Sequence, residues 1–212
     1  MKHVVNMVFL MMWLPLAAPF TASAALFSPP FEEGVHYQVI TPEQPTVSGE
    51  KIEVLELFSY ACSHCHRFEP YIERWLKSKA ENVKFVRLPV IFREDWAVLA
   101  KAYYAAEALG VVEKIHNPLF NAIHAQKRKM NDEAAVMALF AEQGVSNADF
   151  KKVFNSFAVD SKVRRARELT KRYGIASTPS IVVNGKYRVD GQMAGGTNER
   201  FLQIVDFLAN KP

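Results

Sequence analysis

Apolar and polar positions alternate along Ile52-Glu53-Val54-Leu55-Glu56-Leu57-Phe58 before the segment turns fully apolar, the pattern of a strand entering a core. Residues 83–88 alternate well and predict a second strand. Residues 180–183 and 187–189 flank Asn184-Gly185, a strong two-residue hairpin signal. A weaker strand is expected near 37–40. Elsewhere the apolar period is helical. Phe68, Ile72, Trp75 and Leu76 share one face of a helix that begins at the cysteines and reaches about Lys79, with Pro70 expected to kink it. A long helical block follows the 83–88 strand. It comprises 96–109, stopped by Gly110, then 111–125, and then 132–143, capped by Asn131 and stopped by Gly144. A capping box at Ser146–Asp149 opens a helix reaching about Phe157, and another runs from Ser161 to Tyr173 and stops at Gly174. A last helix, 198–209, follows a Thr197 cap and turns Phe201, Ile204, Val205 and Leu208 inward.

Strand, helix and strand at the front of this order require a parallel pair joined by a crossover, and the hairpin strands extend the same sheet. The expected fold is therefore α/β and thioredoxin-like, with a helical domain inserted between the second and third core strands, counting from the 52–58 strand. The corresponding divisions are a first core part at 25–94, the helical insertion at 95–160 and a second core part at 161–212.

The beginning of the chain changes the expected compartment. Lys2 precedes an apolar run from Val8 through Ala17, and Ala22-Ser23-Ala24 suits a signal peptidase. Residues 1–24 are thus expected to be a cleaved signal peptide, the run being too short and too interrupted by Pro15 and Pro19 to span a bilayer. Removing 24 of 212 residues leaves 188, enough for one domain, or one with a large insertion. Charge adds little, because the formal net charge is only +4. The basic clusters Lys127-Arg128-Lys129 and Arg164, Arg165, Arg167 are not interleaved with aromatics, so nucleic-acid binding is not expected.

The chain has two cysteines, Cys62 and Cys65, three positions apart. A bridge closing so small a ring removes little entropy from the unfolded chain, so it is a poor staple. The pair is there for reactivity or for a metal. A structural zinc needs four convergent ligands, usually from two separated knuckles. His64 and His66 lie too close in sequence to supply the other half. An inert buried pair would be an odd core beside two histidines. Reactivity is the stronger reading, because an apolar strand runs into Cys62 and a helix starts there. Unpaired N–H groups and the positive end of the helix dipole then favour a thiolate, below the ~8.5 of a free thiol. His64 can add a charge or an N–H donor toward that sulfur. Cys65, one turn on, is placed to attack a mixed disulfide formed at Cys62.

The segment Glu56-Leu57-Phe58-Ser59-Tyr60-Ala61-Cys62-Ser63-His64-Cys65-His66-Arg67-Phe68-Glu69 closely resembles the active-site segment of the DsbA family of periplasmic dithiol oxidases. The resemblance extends to Gly110-Val111, Pro118-Leu119-Phe120, Asn155-Ser156-Phe157 and Asn184-Gly185-Lys186-Tyr187. One departure is Ser63-His64 between the cysteines, where the family commonly carries Pro-His; that dipeptide tunes the redox potential. The resemblance implies that Thr178-Pro179 is a cis-proline loop facing the cysteines, where it binds extended substrate alongside Ser63. It also implies that Glu56 is a buried acid beneath the disulfide, assisting proton transfer involving Cys65. His66 is expected to be a neighbouring surface residue.

The implied activity is thiol:disulfide exchange in the periplasm, donating the Cys62–Cys65 disulfide to exported polypeptides that carry free cysteines. No cofactor or metal is required beyond that disulfide. A DsbB-like, quinone-linked membrane oxidase is the implied reoxidant, and a monomer is expected. Two alternatives remain open at the level of sequence: a periplasmic reductant, as in cytochrome maturation, and a holdase using a groove beside the CxxC motif.

Overall fold

The computed structural model describes residues 30–211, so the expected signal peptide at 1–24 lies outside the described residues. One mixed sheet is built from β1 (Gln38–Val39), β2 (Ile52–Phe58), β3 (Val83–Pro89), β4 (Ser180–Val183) and β5 (Tyr187–Asp190), in the order β1-β5-β4-β2-β3. β2 and β3 run parallel with Ile52 opposite Val83, and the other pairings are antiparallel. The helices are α1 (Ser63–Ser78), α2 (Ala97–Ala108), α3 (Val112–His124), α4 (Glu133–Glu142), α5 (Asn147–Phe154), α6 (Phe157–Arg172) and α7 (Asn198–Ala209). The α/β thioredoxin-like order expected from the sequence is present, with α2 to α6 in the interval between β3 and β4. Among the described residues, no helix is long and apolar enough to cross a membrane.

Strand alternation divides the interior in two. On one face Val54, Ile181 and Val183 share a core with Phe68 and Ile72 of α1 and with Phe201 and Ile204 of α7. Phe68 and Phe201 stack with ring centroids 5.0 Å apart. On the other face Leu55 and Val182 join the core of the helical block, with Leu99, Leu119, Phe140 and Val163. β2 is consequently buried along nearly its whole length, and the two glutamates in it are enclosed with it.

Several helix boundaries differ from the sequence reading, each for a local reason. Asp132, not Asn131, caps α4: its carboxylate accepts the Ala135 N–H at 2.8 Å. The chain does not continue helically to Phe157 and restart at Ser161. It breaks at Asn155, and the Ser156 hydroxyl accepts the Val159 N–H at 3.3 Å, opening α6 at Phe157. The expected division between 160 and 161 therefore falls inside a continuous helix. Ser146 and Thr197 cap α5 and α7 as expected. Pro70 lies inside α1 as expected, on its exposed side, and the helix continues past it to Ser78.

The hairpin between β4 and β5 depends on its turn. Val183 pairs with Tyr187, so residues 184–186 connect the strands. Asn184 and Gly185, central in the turn that the Lys186 N–H closes onto the Val183 carbonyl at 3.0 Å, both have positive φ, 51° and 69°. Gly185 is also pressed against the loop after β1: a Cβ there would lie 2.0 Å from the Gln44 carbonyl oxygen. Gly34 has a similar φ of 81° with nothing within 4 Å of its Cβ position. Gly185→Ala should therefore lower the urea midpoint clearly more than Gly34→Ala, the difference being the backbone clash alone. Phe68→Ala should cost ~3–5 kcal/mol in the same experiment, as expected for a fully buried aromatic.

Candidate active site

The site forms where β2 hands the chain to α1. After Phe58 the strand ends, Ser59 accepts the Ala61 N–H through its hydroxyl at 3.1 Å, and Cys62 becomes the N-cap of α1 with extended dihedrals. No side chain caps this helix, so the sulfur of Cys62 takes the place a capping oxygen would fill. Cys62 is half-buried, Cys65 is buried one turn on, and both are free thiols.

The two thiols are driven in opposite directions. A hydrogen bond from the Cys65 thiol is the main influence holding Cys62 down at about 5; the Thr178 side chain and the backbone N–H groups of Cys65 and His64 add to it against the burial cost. When protonated, the Cys62 thiol donates to the Thr178 carbonyl at 3.2 Å. That contact alone favours the thiol, and the converging donors outweigh it. Cys65 is pushed well above an ordinary thiol, first by burial and then by its neighbour Cys62. The residue exposed to a partner is thus the one that prefers the anion.

The structure brings most of the expected residues together. The Thr178-Pro179 peptide is cis, and its carbonyl side meets the Cys62 sulfur. Pro179, Thr178, His64 and Arg67 line one groove of about 560 Å³, together with Asn198 and Phe201. Ser63 is exposed as the first residue of α1. His64 reaches Cys62 through its backbone rather than its ring, whose Nδ1 instead pairs with Arg67 Nη2 at 3.0 Å. His66 is only half-exposed: it stacks on His124 at 5.1 Å and pairs with Asn121 Oδ1 at 3.1 Å.

Glu56 is 1% exposed and close enough to Cys65 for its charge to help raise that thiol, and it has companions that sequence reasoning missed. Arg87, opposite it on β3, donates from Nε to Glu56 Oε2 at 3.0 Å and from Nη2 to Glu69 Oε1. Glu69, on α1, is 5% exposed. His116 of α3 lies with Nε2 3.3 Å from Glu69 Oε2 and with Nδ1 2.8 Å from the Tyr60 hydroxyl. Burial raises both carboxyls to about 7 against the pull of Arg87. Burial, helped by Arg87, lowers His116 to about 3, so its imidazole is neutral. One guanidinium cannot cheaply neutralise two carboxylates in so dry a site, so near neutral pH the pair holds about one proton. No sequence signal singled these residues out, since Glu69 and His116 each sit in an amphipathic helix where a polar residue ordinarily faces water. No group of three or more His, Cys, Asp or Glu side chains among the described residues could hold a metal ion.

The arrangement has known counterparts. Residues 53–204 match the profile of the DSBA-like thioredoxin domain. The chain is 38% identical to the thiol:disulfide interchange protein DsbA of Pseudomonas syringae pv. tomato over 196 residues, covering 92% of this chain and 91% of the relative. It is 38% identical to the protein of the same name from Burkholderia cepacia, covering 84% of each. Among solved structures, that of Pseudomonas aeruginosa DsbA superimposes with a TM-score of 0.80 at 36% identity, covering 84% of this chain and 93% of that one. The oxidoreductase DsbA of Xylella fastidiosa gives 0.76 at 32% identity, over 82% and 93%. Sequence and fold agree over most of the length, and the chain belongs to the DsbA family.

Proposed function

We propose that this protein is a thiol:disulfide oxidoreductase that donates the Cys62–Cys65 disulfide to polypeptides carrying free cysteines. The observation that carries this reading is the opposed pair of thiols at the start of α1: an accessible sulfur that favours the anion above a buried one that favours the proton. The relatives' name, thiol:disulfide interchange protein, points to the same chemistry.

In the cycle, a substrate thiolate attacks Cys62 of the oxidised pair. The Cys62–Cys65 bond breaks, a substrate–Cys62 disulfide forms, and Cys65 leaves as a thiolate. Because Cys65 is buried and strongly basic, it takes up a proton, and Glu56 below it is the carboxyl placed to supply one. A second substrate thiolate then attacks the substrate sulfur of the mixed disulfide, and Cys62 departs. Substrate has lost two electrons and enzyme has gained them. A stabilised Cys62 anion is a good leaving group and favours the reduced enzyme, as a disulfide donor requires. Thr178 and Pro179 border the groove in which an extended substrate segment would lie beside Cys62, with His64 also lining it and Ser63 exposed next to His64 in the chain. The family relationship and the signal-like residues 1–24 support a periplasmic location, with exported chains as substrates and a quinone-linked membrane oxidase restoring the disulfide. No metal or organic cofactor enters these steps.

A thiol-bearing peptide tests the reading directly. Oxidised by a small disulfide, Cys65→Ser should accumulate a stable adduct with the peptide at Cys62, while Cys62→Ser should form none. Equal adduct on both variants, or none on either, would sink the proposal.

Stability should report the same anion. Cys62 has a folded value of about 5 and an unfolded one of ~8.5. A depressed value contributes stability that is fully present above the unfolded pKa and lost as pH falls through the folded one. The oxidised form has no thiol to titrate, and the carboxyls are common to both forms. The reduced form should therefore gain stability relative to the oxidised form as pH rises from about 5 toward ~8.5, measured by denaturant unfolding at each pH. A flat difference would contradict the anion.

A further inference from the structure

We infer that His116 is a positioning residue that holds Glu69 ionised and so places the single proton of the buried pair on Glu56. This rests on the proposed exchange reaction for its significance, but its geometry stands apart from it.

The two carboxyls are unequally provided with donors. Glu69 Oε1 accepts from Arg87 Nη2, and Glu69 Oε2 has a ring nitrogen, His116 Nε2, 3.3 Å away that can serve as its donor. Glu56 has one oxygen engaged, Oε2 with Arg87 Nε, while Oε1 is buried without a partner. A buried carboxylate oxygen with no donor is costly, whereas the same oxygen in the neutral, protonated carboxyl costs much less to leave unpaired. The site therefore favours charge on Glu69 and the proton on Glu56.

His116 can supply the donor only in one tautomer. The ring is 5% exposed and neutral, so one nitrogen carries hydrogen and the other accepts. With the hydrogen on Nε2, the ring faces Glu69 as a donor, and the Tyr60 hydroxyl donates to Nδ1 across 2.8 Å. With the hydrogen on Nδ1, Nε2 would become an acceptor, which only a protonated Glu69 could satisfy. His116 Nε2 makes no hydrogen bond among the described residues, and Glu69 Oε2 at 3.3 Å is the carboxylate oxygen it faces. The tautomer of His116 and the charge of Glu69 are thus tied together. The 3.3 Å contact is not a hydrogen bond as it stands, and a turn of the ring toward Oε2 would make it one.

The other charged and titratable groups around the cluster do not overturn this order. Arg87 from β3 touches both carboxyls and cannot choose between them. Glu73 of α1 and Glu113 of α3 oppose ionisation of Glu69, and His66 favours it. Tyr60 and Tyr103 are held protonated by burial. The charge on Glu69 in turn raises Glu56.

Functionally, a proton kept on Glu56 is one available to the departing Cys65 thiolate. Glu56→Cys65 transfer leaves Glu56 ionised beside Arg87, and reoxidation returns the proton along the same path. His116 takes no part in the transfer; it decides which carboxyl is loaded.

The test uses the full chain with glutamate side chains carrying 13C at the carboxyl and histidine carrying 15N. In the wild type, Glu69 should ionise at lower pH than Glu56, and His116 should be the Nε2–H tautomer at neutral pH. In His116→Leu the Glu69 step should rise by about one pH unit, the effect of losing one hydrogen bond to a charged group, and the Glu56 step should fall. His116→Gln, which keeps an N–H donor and an acceptor, should restore the wild-type order. The pH profile for reduction of the oxidised enzyme by a dithiol should move to lower pH in His116→Leu, without change in the Cys62 thiolate absorbance.

An Nδ1–H tautomer in the wild type, or two carboxyl steps that stay put or move together in the variant, would overturn the inference. The wild-type tautomer decides the matter even if His116→Leu does not fold. A wild-type enzyme that exchanged no thiols would overturn the proposed function instead, and the carboxyl titrations would still judge this inference.

Discussion

A helix that begins at a cysteine concentrates its unpaired N–H groups on one sulfur, and the rest of this structure arranges itself around that fact. β2 is buried on both faces, which fixes where the chain must emerge and hence where Cys62 sits. The Thr178-Pro179 loop closes on the same sulfur from just before the start of β4. Cys65, one turn further, is drawn into the core by the same periodicity that buries Phe68 and Ile72. Exposure of one thiol and enclosure of the other are thus a single consequence of helix geometry. Their opposite proton affinities follow from it, and they give the exchange reaction its direction.

Beneath them the fold accepts a cost. An arginine, two glutamates and a histidine are enclosed where apolar side chains would pack with no desolvation penalty, and each buried ion forfeits several kcal/mol of hydration before pairing returns part of it. Such a cluster is poor support for stability on its own. It makes sense next to a buried sulfur that must gain and lose a proton with no water beside it. The energy is spent on keeping a carboxyl close to neutrality, where it can give or accept that proton.

The sheet, the hairpin turn and Cys62 at the helix start were legible because each has a local signature: alternation, Asn184-Gly185, an apolar strand meeting a CxxC. The loop at Thr178 was reached through the family resemblance. The helix breaks were harder, since Asn131 and Asp132 are both good caps, and only the fold selects between them. The strand expected over 37–40 shrinks to Gln38–Val39, because only those residues pair with β5. The charged cluster was the real omission. Glu56 was found by resemblance, but Arg87, Glu69 and His116 lie on three different elements, and nothing in their own segments marks them as enclosed. Burial of a polar residue belongs to the assembled layers, not to a helical or strand period. His64 teaches the same lesson at smaller scale: the residue is in place, yet it is the backbone N–H that reaches the sulfur.

The central claim is that the fold stabilises the reduced pair by stabilising the Cys62 anion. The equilibrium of Cys62 and Cys65 against a glutathione buffer of stepped composition measures this directly. The account predicts a pair that stays reduced until the buffer is strongly oxidising, with Ser63-His64 setting only the fine position of the midpoint. A pair already oxidised in a reducing buffer would contradict it, leaving the fold in place but removing the disulfide-donor role.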